Sequence, residues 1–359
     1  MEEKTTWRVG SNYMKNISIE NIYWMIAYAF RILNEKNIER MSDEKFENIY
    51  DLFAVMMTLE LNKLIKRGLN KEYIQKKDEL SAIRGKVSLN DLMKNSYKKT
   101  SKVVCEYDEY SNNCYLNQII KTACGVLIKS KKIKDKNRLI SLKKTVIYLD
   151  GVSELNPKNI VWNNIQYNKH NLSYKILINV SHLIIDGLLM TNKMGVSDYR
   201  EYLDDQKMHK LYEKFIFEYY KYHYPDLSPA SPQVEWDVES NEHISLLPKM
   251  QTDIALYKDD KMLIIDAKYY NDMYQRNSLY DKETFKSNNL YQIYTYVKNK
   301  DKDNTGNVSG MLLYVKTDDN EKQYFECKMG KNKISICNLD LSKDFDYVKE
   351  QLDDIAVQI

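Results

Sequence analysis

A change of hydrophobic period part-way along the chain is what most constrains its fold. Over residues 21–33, 46–69, 115–128 and 174–190, apolar side chains recur at helical spacing. A further helical run over 206–224 stops at Pro225, and the proline-spaced stretch YPDLSPASPQ then leads into β-rich sequence. Strands are predicted over 234–238, 252–257, 261–269, 310–315, 323–328 and 333–337, and helices over 282–298 and 342–357. Between the second and third helical runs, AIRGKVSLNDL reads as a short strand or turn. At 359 residues the chain is long enough for two domains that each bury a core. The expected division is a mainly helical domain over 1–200 followed by an α/β (α+β) domain over 201–359.

Composition removes several function classes. Hydrophobic residues make up 43% and Tyr alone numbers 30, which argues for a folded chain against a disordered one. The five cysteines show no C-x-x-C spacing, so neither a disulfide framework nor a zinc site is expected. The histidines, at 170, 182, 209, 223 and 243, share no ligand spacing, and His182 reads as a core residue of its apolar helix. No apolar run approaches the roughly 20 residues that span a bilayer, and MEEKTTWRVG lacks the apolar core of a signal peptide. The expected location is cytoplasmic.

Net charge is only +3, but it is unevenly spread. Residues 62–104 carry 12 Lys/Arg against 4 Asp/Glu, and residues 129–144 carry 8 against 1. Such clusters can neutralise phosphates; a solvated lysine-rich face explains them equally well. Arg84, in AIRGKVSL, could touch DNA or a partner, while Gly85 marks a turn or a close backbone approach. DEYSNN, residues 108–113, reads either as an acidic contact or as the N-cap of the helix from Tyr115.

The chemistry concentrates in MQTDIALYKDDKMLIIDAKYY. If its two limbs form a hairpin turning at Asp259-Asp260, Asp253 stands directly opposite Asp266, with Cβ atoms about 4.5–5.5 Å apart. Like charges so placed are unfavourable unless something positive lies between them, and a hard divalent cation suits carboxylate oxygens. Lys268 alternates onto the same face and could hold or deprotonate a water aimed at a phosphate. A register shift of one residue would separate the acids, leaving an ordinary sheet surface. Glu213 sits among aromatic and aliphatic residues in LYEKFIFEYY, where an acid is costly unless paired or ligating. Gln292 and Tyr296 lie four apart on one face of a later helix.

The order Glu213, Asp253, then Asp266-Ala267-Lys268, then Gln292-x-x-x-Tyr296 resembles the PD-(D/E)XK nuclease superfamily in its RecB-like form. Thr252 stands where that family often has proline. LNKLIKRGLNKEYI, AIRGKVSL and YDEYSNNCYLNQIIK further resemble blocks of the McrC family, the nuclease subunit of McrBC-type modification-dependent restriction systems. The resemblance implies a restriction-endonuclease-like domain with a central mixed sheet flanked by helices. It also implies that Asp253, Asp266 and the Ala267 carbonyl hold Mg²⁺, with Glu213 as an outer-shell or second-metal ligand and Mn²⁺ able to substitute. Lys268 would activate water, Gln292 would orient substrate or Lys268, and Tyr296 would support them. The implied partners are double-stranded, modified DNA and a hexameric McrB-like AAA+ GTPase ring, engaged by the N-terminal half, whose nucleotide hydrolysis the chain stimulates. The chain has no G-x-x-x-x-G-K-[ST] loop of its own. A RecB-like nuclease acting alone on DNA ends, and a non-catalytic regulator of an NTPase, remain alternatives.

Overall fold

The structure, a computed structural model, describes residues 17–31, 46–91, 102–169, 171–194, 205–238, 246–269, 273–277, 282–316 and 323–359. The boundary expected near residue 200, and His170 and His243, lie outside these residues. The chain divides into two compact units, one built from Glu47–Gly195 and the other from Met1–Phe46 with Val196–Ile359. The first helix, α1 (Ile19–Ala29), therefore groups with the C-terminal unit. The reason is apolar demand: nearly every α1 side chain is buried, and its aromatics need partners. Trp24 stacks on Phe345 at 4.6 Å, and Tyr28 packs against Phe215 and Tyr219.

In the unit from Glu47, α2 (Ile49–Arg67) is capped by Asn48, whose side chain accepts from the Tyr50 and Asp51 amides, and it ends at Gly68 with φ 94. β1 (Glu72–Leu80), β2 (Lys86–Val87) and β3 (Val103–Ser111) form an antiparallel sheet ordered β1-β3-β2. β1 and β3 are absent from the sequence expectations, because EYIQKKDEL carries charge on both faces and lacks the alternation that marks a half-buried strand. β3 also corrects the capping assignment for DEYSNN. Its first four residues are strand, the helix α3 (Tyr115–Lys129) has Cys114 at its N-cap with no side-chain bond, and Asn113 instead accepts from Gln118 Nε2. α4 (Lys136–Val146) and α5 (Tyr174–Met194) complete the unit. Buried Asn117 donates to the carbonyls of Asn70 and Asn112 and accepts from Tyr174 Oη at 2.8 Å, which ties α3, α5 and the entry to β1 together. His182 is half-exposed and not a core residue; it stacks on Trp162 and pairs with Asp186 at 2.9 Å.

In the other unit, α6 (Asp205–His223) precedes the short strands β4 (Gln233–Val234) and β5 (Met250–Gln251), so of the strand expected over 234–238 only Val234 is strand. β6 (Ile254–Lys258) and β7 (Lys261–Lys268) form the hairpin, with Asp259 in the left-handed region at φ 52, which Asp tolerates. β8 (Tyr274–Asn277) and β9 (Lys282–Phe285) make a second ribbon, followed by α7 (Ser287–Lys300). The helix expected over 282–298 thus starts five residues late, because KETF pairs with β8 and Phe285 stacks on Tyr274 at 5.3 Å. β10 (Val308–Val315), β11 (Tyr324–Met329), β12 (Asn332–Leu339) and α8 (Phe345–Val357) close the chain.

The main sheet runs β11-β12-β10-β7-β6, with β7, β10 and β12 parallel and the outer strands antiparallel. Its parallel centre is almost wholly buried, as expected of a sheet covered on both faces. Met262, Ile264, Leu312, Ile334 and Ile336 share one core with Ile293, Tyr296 and Val297 of α7. Gly310 lets α7 lie this close: a Cβ there would come within 2.8 Å of both Ile293 and Val297.

Candidate active site

The hairpin register decides where the acids fall. Ile254 pairs with Ile265 and Lys258 with Lys261, so Asp253, one residue before β6, stands opposite Asp266. Asp253 is brought there by its neighbours: the Thr252 amide and Oγ1 both donate to the Pro232 carbonyl, and the Ala255 amide donates to Ala230 at 2.7 Å. Threonine in place of proline therefore supplies two anchoring hydrogen bonds. Asp266 and Lys268 alternate with Ile264 on the α7 face of β7.

Asp266 is 1% exposed and Lys268 6%. The Lys268 ammonium lies 2.7 Å from Asp266 Oδ2 as an ion pair, yet that oxygen receives no hydrogen bond of good geometry. Lys268 Nζ donates to Gln292 Oε1 at 3.0 Å, and Gln292 Nε2 donates to Tyr296 Oη at 2.9 Å. One chain of contacts thus runs Asp266, Lys268, Gln292, Tyr296. Asp253 is partly buried, and its Oδ2 accepts from the Ala267 amide at 2.9 Å.

The electrostatics report crowding of negative charge. Burial, followed by the charges of Asp266 and Glu213, pushes the Asp253 carboxyl up to about 8 against the opposing pull of the Ala267 amide and Lys268. Burial likewise raises Asp266, opposed by Lys268. Burial raises Glu213 too, and the charges of Lys268 and Asp266 both reach it.

Among the described residues, no three His, Cys, Asp or Glu side chains gather as a metal cluster. Glu213 lies at the edge of the pair, where its charge reaches Asp253, and its Oε1 lies 3.3 Å from His209 Nδ1, one helical turn away. What remains fits a hard cation that keeps most of its waters: two facing carboxylates both raised by burial, one buried carboxylate oxygen whose near neighbour is the Lys268 ammonium, and the Ala267 main chain beside them. His209 is a neighbour that the sequence expectations do not include. Its signal is the four-residue spacing to Glu213 on α6, and burial followed by the charge of Lys268 lowers its imidazole.

The profile of the family described as "McrBC 5-methylcytosine restriction system component" matches residues 20–315. The chain belongs to this family. The McrBC match contains every candidate residue from Glu213 to Tyr296 and ends with β10, so β11, β12 and α8 lie beyond it. A relative from Escherichia coli K12, "Type IV methyl-directed restriction enzyme EcoKMcrBC", is 27% identical over 348 residues, covering 94% of this chain and 97% of the relative. Among solved structures, a half-complex of Thermococcus gammatolerans McrB AAA+ hexamers with bound McrC matches at a TM-score of 0.52. That match has 16% identity and covers 95% of this chain and 76% of that one. At this identity it supports the fold. No helix among the described residues is long and apolar enough to cross a membrane.

Proposed function

We propose that this McrBC-family chain is the DNA-cleaving subunit of a modification-dependent restriction complex. In this reading it hydrolyses phosphodiester bonds with a divalent cation, Mg²⁺ or Mn²⁺, held by Asp253, Asp266 and the Ala267 carbonyl. The observation that carries it is the convergence of Asp253, Asp266 and Lys268 on one sheet face, with Lys268 tethered to Gln292. When bound, the cation supplies charge stabilisation at the phosphate and a more acidic water. The residues of the chain do the rest. Lys268, held between Asp266 and Gln292, brings its positive charge to the attacking water or a phosphate oxygen. Gln292 keeps that ammonium from swinging, and Tyr296 fixes the amide orientation. Glu213, raised by burial, stands beside the site where it can take or hold a proton in the outer sphere.

Membership in the family, and the McrB hexamers bound by the Thermococcus McrC, support a ring-forming AAA+ NTPase as the partner, stimulated by this chain. Double-stranded modified DNA is the substrate this reading implies, and the cytoplasm is where it would be met. The test is plasmid cleavage by the full chain reconstituted with its partner NTPase. Wild type cuts methylated plasmid, while Asp266→Ala and Lys268→Ala are silent; equal cutting by all three overturns the reading.

A further inference from the structure

We propose that the outer face of α4 binds the phosphate backbone of duplex DNA, a second binding surface outside the cleavage site. The inference rests on the reading that DNA is the substrate. α4 buries Leu142 and Thr145 and turns Lys136, Ile140, Lys143 and Lys144 outward, followed by Ile147. At 3.6 residues per turn these positions fall in a stripe of roughly 100°. Ile140 is 48% exposed, Ile147 69% and Tyr148 63%.

What distinguishes this face is several lysines without counter-charge on one helix stripe. In the same unit Lys76 meets Glu109, Lys77 meets Asp91 and Glu106, and Lys129 meets Glu154, while other described lysines without an ion pair, such as Lys66, Lys86 and Lys158, lie on separate elements. On α4 the one carboxylate, Asp135, is occupied by the amides of Asn137 and Arg138 and by the Arg138 side chain. Among the described residues Lys136, Lys143 and Lys144 form no ion pair. Lys143 and Lys144 lie in the last turn, where the helix dipole favours cations but leaves their ammonium groups free to face outward.

The arrangement favours a polyanion over a protein. A protein interface places apolar residues at its centre and charge at its rim, whereas here lysines and isoleucines interleave along one stripe about 12 Å long from Lys136 to Lys144 at 1.5 Å per residue. Lysines so spaced can each meet a phosphate of a duplex carrying one charge per roughly 1.7 Å of axis, while Ile140, Ile147 and Tyr148 lie against sugars.

The test is binding of a fluorescent duplex by the full chain in EDTA, where no cutting occurs, across a salt series. Lys136→Ala/Lys143→Ala/Lys144→Ala is compared with wild type and with a charge-matched control, Lys258→Ala/Lys328→Ala/Lys331→Ala; circular dichroism checks folding. Removing one lysine–phosphate pairing flattens the log–log salt slope by about 0.9. The α4 triple is therefore expected to flatten it by about 2 to 3 and so to weaken binding on the order of 100- to 1,000-fold at 0.1 M salt, with the control near wild type. Unchanged slope in the α4 triple, equal weakening in the control, or no salt-dependent binding by wild type overturns the inference. A triple that keeps wild-type DNA binding but no longer stimulates the partner NTPase also overturns it and assigns the face to protein. Because no cleavage is read, failure here leaves the nuclease reading standing, and equal plasmid cutting by wild type and Asp266→Ala, which overturns that reading of the site, leaves this one standing.

Discussion

Asp253 and Asp266 meet the same crowding with different means. Asp266 has an ammonium 2.7 Å away, whereas the hydrogen bond Asp253 receives at its carboxylate comes from the Ala267 amide, and its carboxyl is the one pushed up to about 8. Between its ordinary range and about pH 8 the folded, cation-free chain binds more protons at Asp253 than the unfolded chain does. That contribution to stability is full at acid pH and is lost as pH rises toward 8. A cation must displace the same proton, so Mn²⁺ affinity should climb with pH through neutrality and level off above about 8. Calorimetric titration at several pH values checks this, and Asp253→Asn should remove the dependence. Gln292 gives a second expectation at this scale. Gln292→Ala leaves Lys268 its Asp266 partner but removes the second tether, so cleavage should fall about 10- to 100-fold, the range seen when a positioned charge loses its support, with melting temperature little changed. A loss of folding with no separate kinetic effect would contradict a positioning role.

At the scale of elements, α7 carries Gln292 and Tyr296, and two features distant from the chemistry hold it in place. Gly310 is the first. Gly310→Ala forces a methyl against Ile293, Val297 and Ile334, a strain costing about 1–3 kcal/mol. It should lower cleavage beyond what stability predicts, because α7 must shift; the paired measurement is chemical denaturation and single-turnover cleavage. Asp301 is the second. Buried just past the helix end, it accepts from Thr305 N and Oγ1, Gly306 N and Asn332 Nδ2. Burial alone would raise this carboxyl, but those donors outweigh it and hold it down to about 2. Its stabilisation is therefore present above the ordinary carboxylate range and is lost as pH falls toward 2. Asp301→Ala strands several buried donors and should cost about 1–3 kcal/mol at neutral pH, a difference that shrinks in acid; urea titrations at pH 7 and pH 3 read it.

Across the whole molecule, legibility followed burial. The α/β half was readable because its strands are apolar runs and its helices are amphipathic, and the β6–β7 register followed from a two-residue turn. β1 escaped because its exposed, charged residues carry no hydrophobic period, whereas β3 buries Val104 and Cys105; the two are held by cross-strand pairs such as Lys76–Glu109. β9 escaped because KETF is stabilised by β8 and by the Phe285–Tyr274 stack, which local sequence does not show. In the site, the Asp253–Asp266–Lys268 face and the Gln292–Tyr296 pair were legible from spacing, whereas His209 beside Glu213 and the Thr252 anchor to Pro232 depend on folded neighbours. α1 joined the C-terminal unit because its aromatic face finds Phe215, Tyr219 and Phe345 there.

The most direct measurement is electron paramagnetic resonance of Mn²⁺ titrated into the full chain with a duplex oligonucleotide, comparing wild type, Asp266→Ala and Lys268→Ala. The account expects a bound-ion signal in wild type, its loss in Asp266→Ala, and its survival in Lys268→Ala, which removes no oxygen ligand. Identical Mn²⁺ binding by wild type and Asp266→Ala would contradict it.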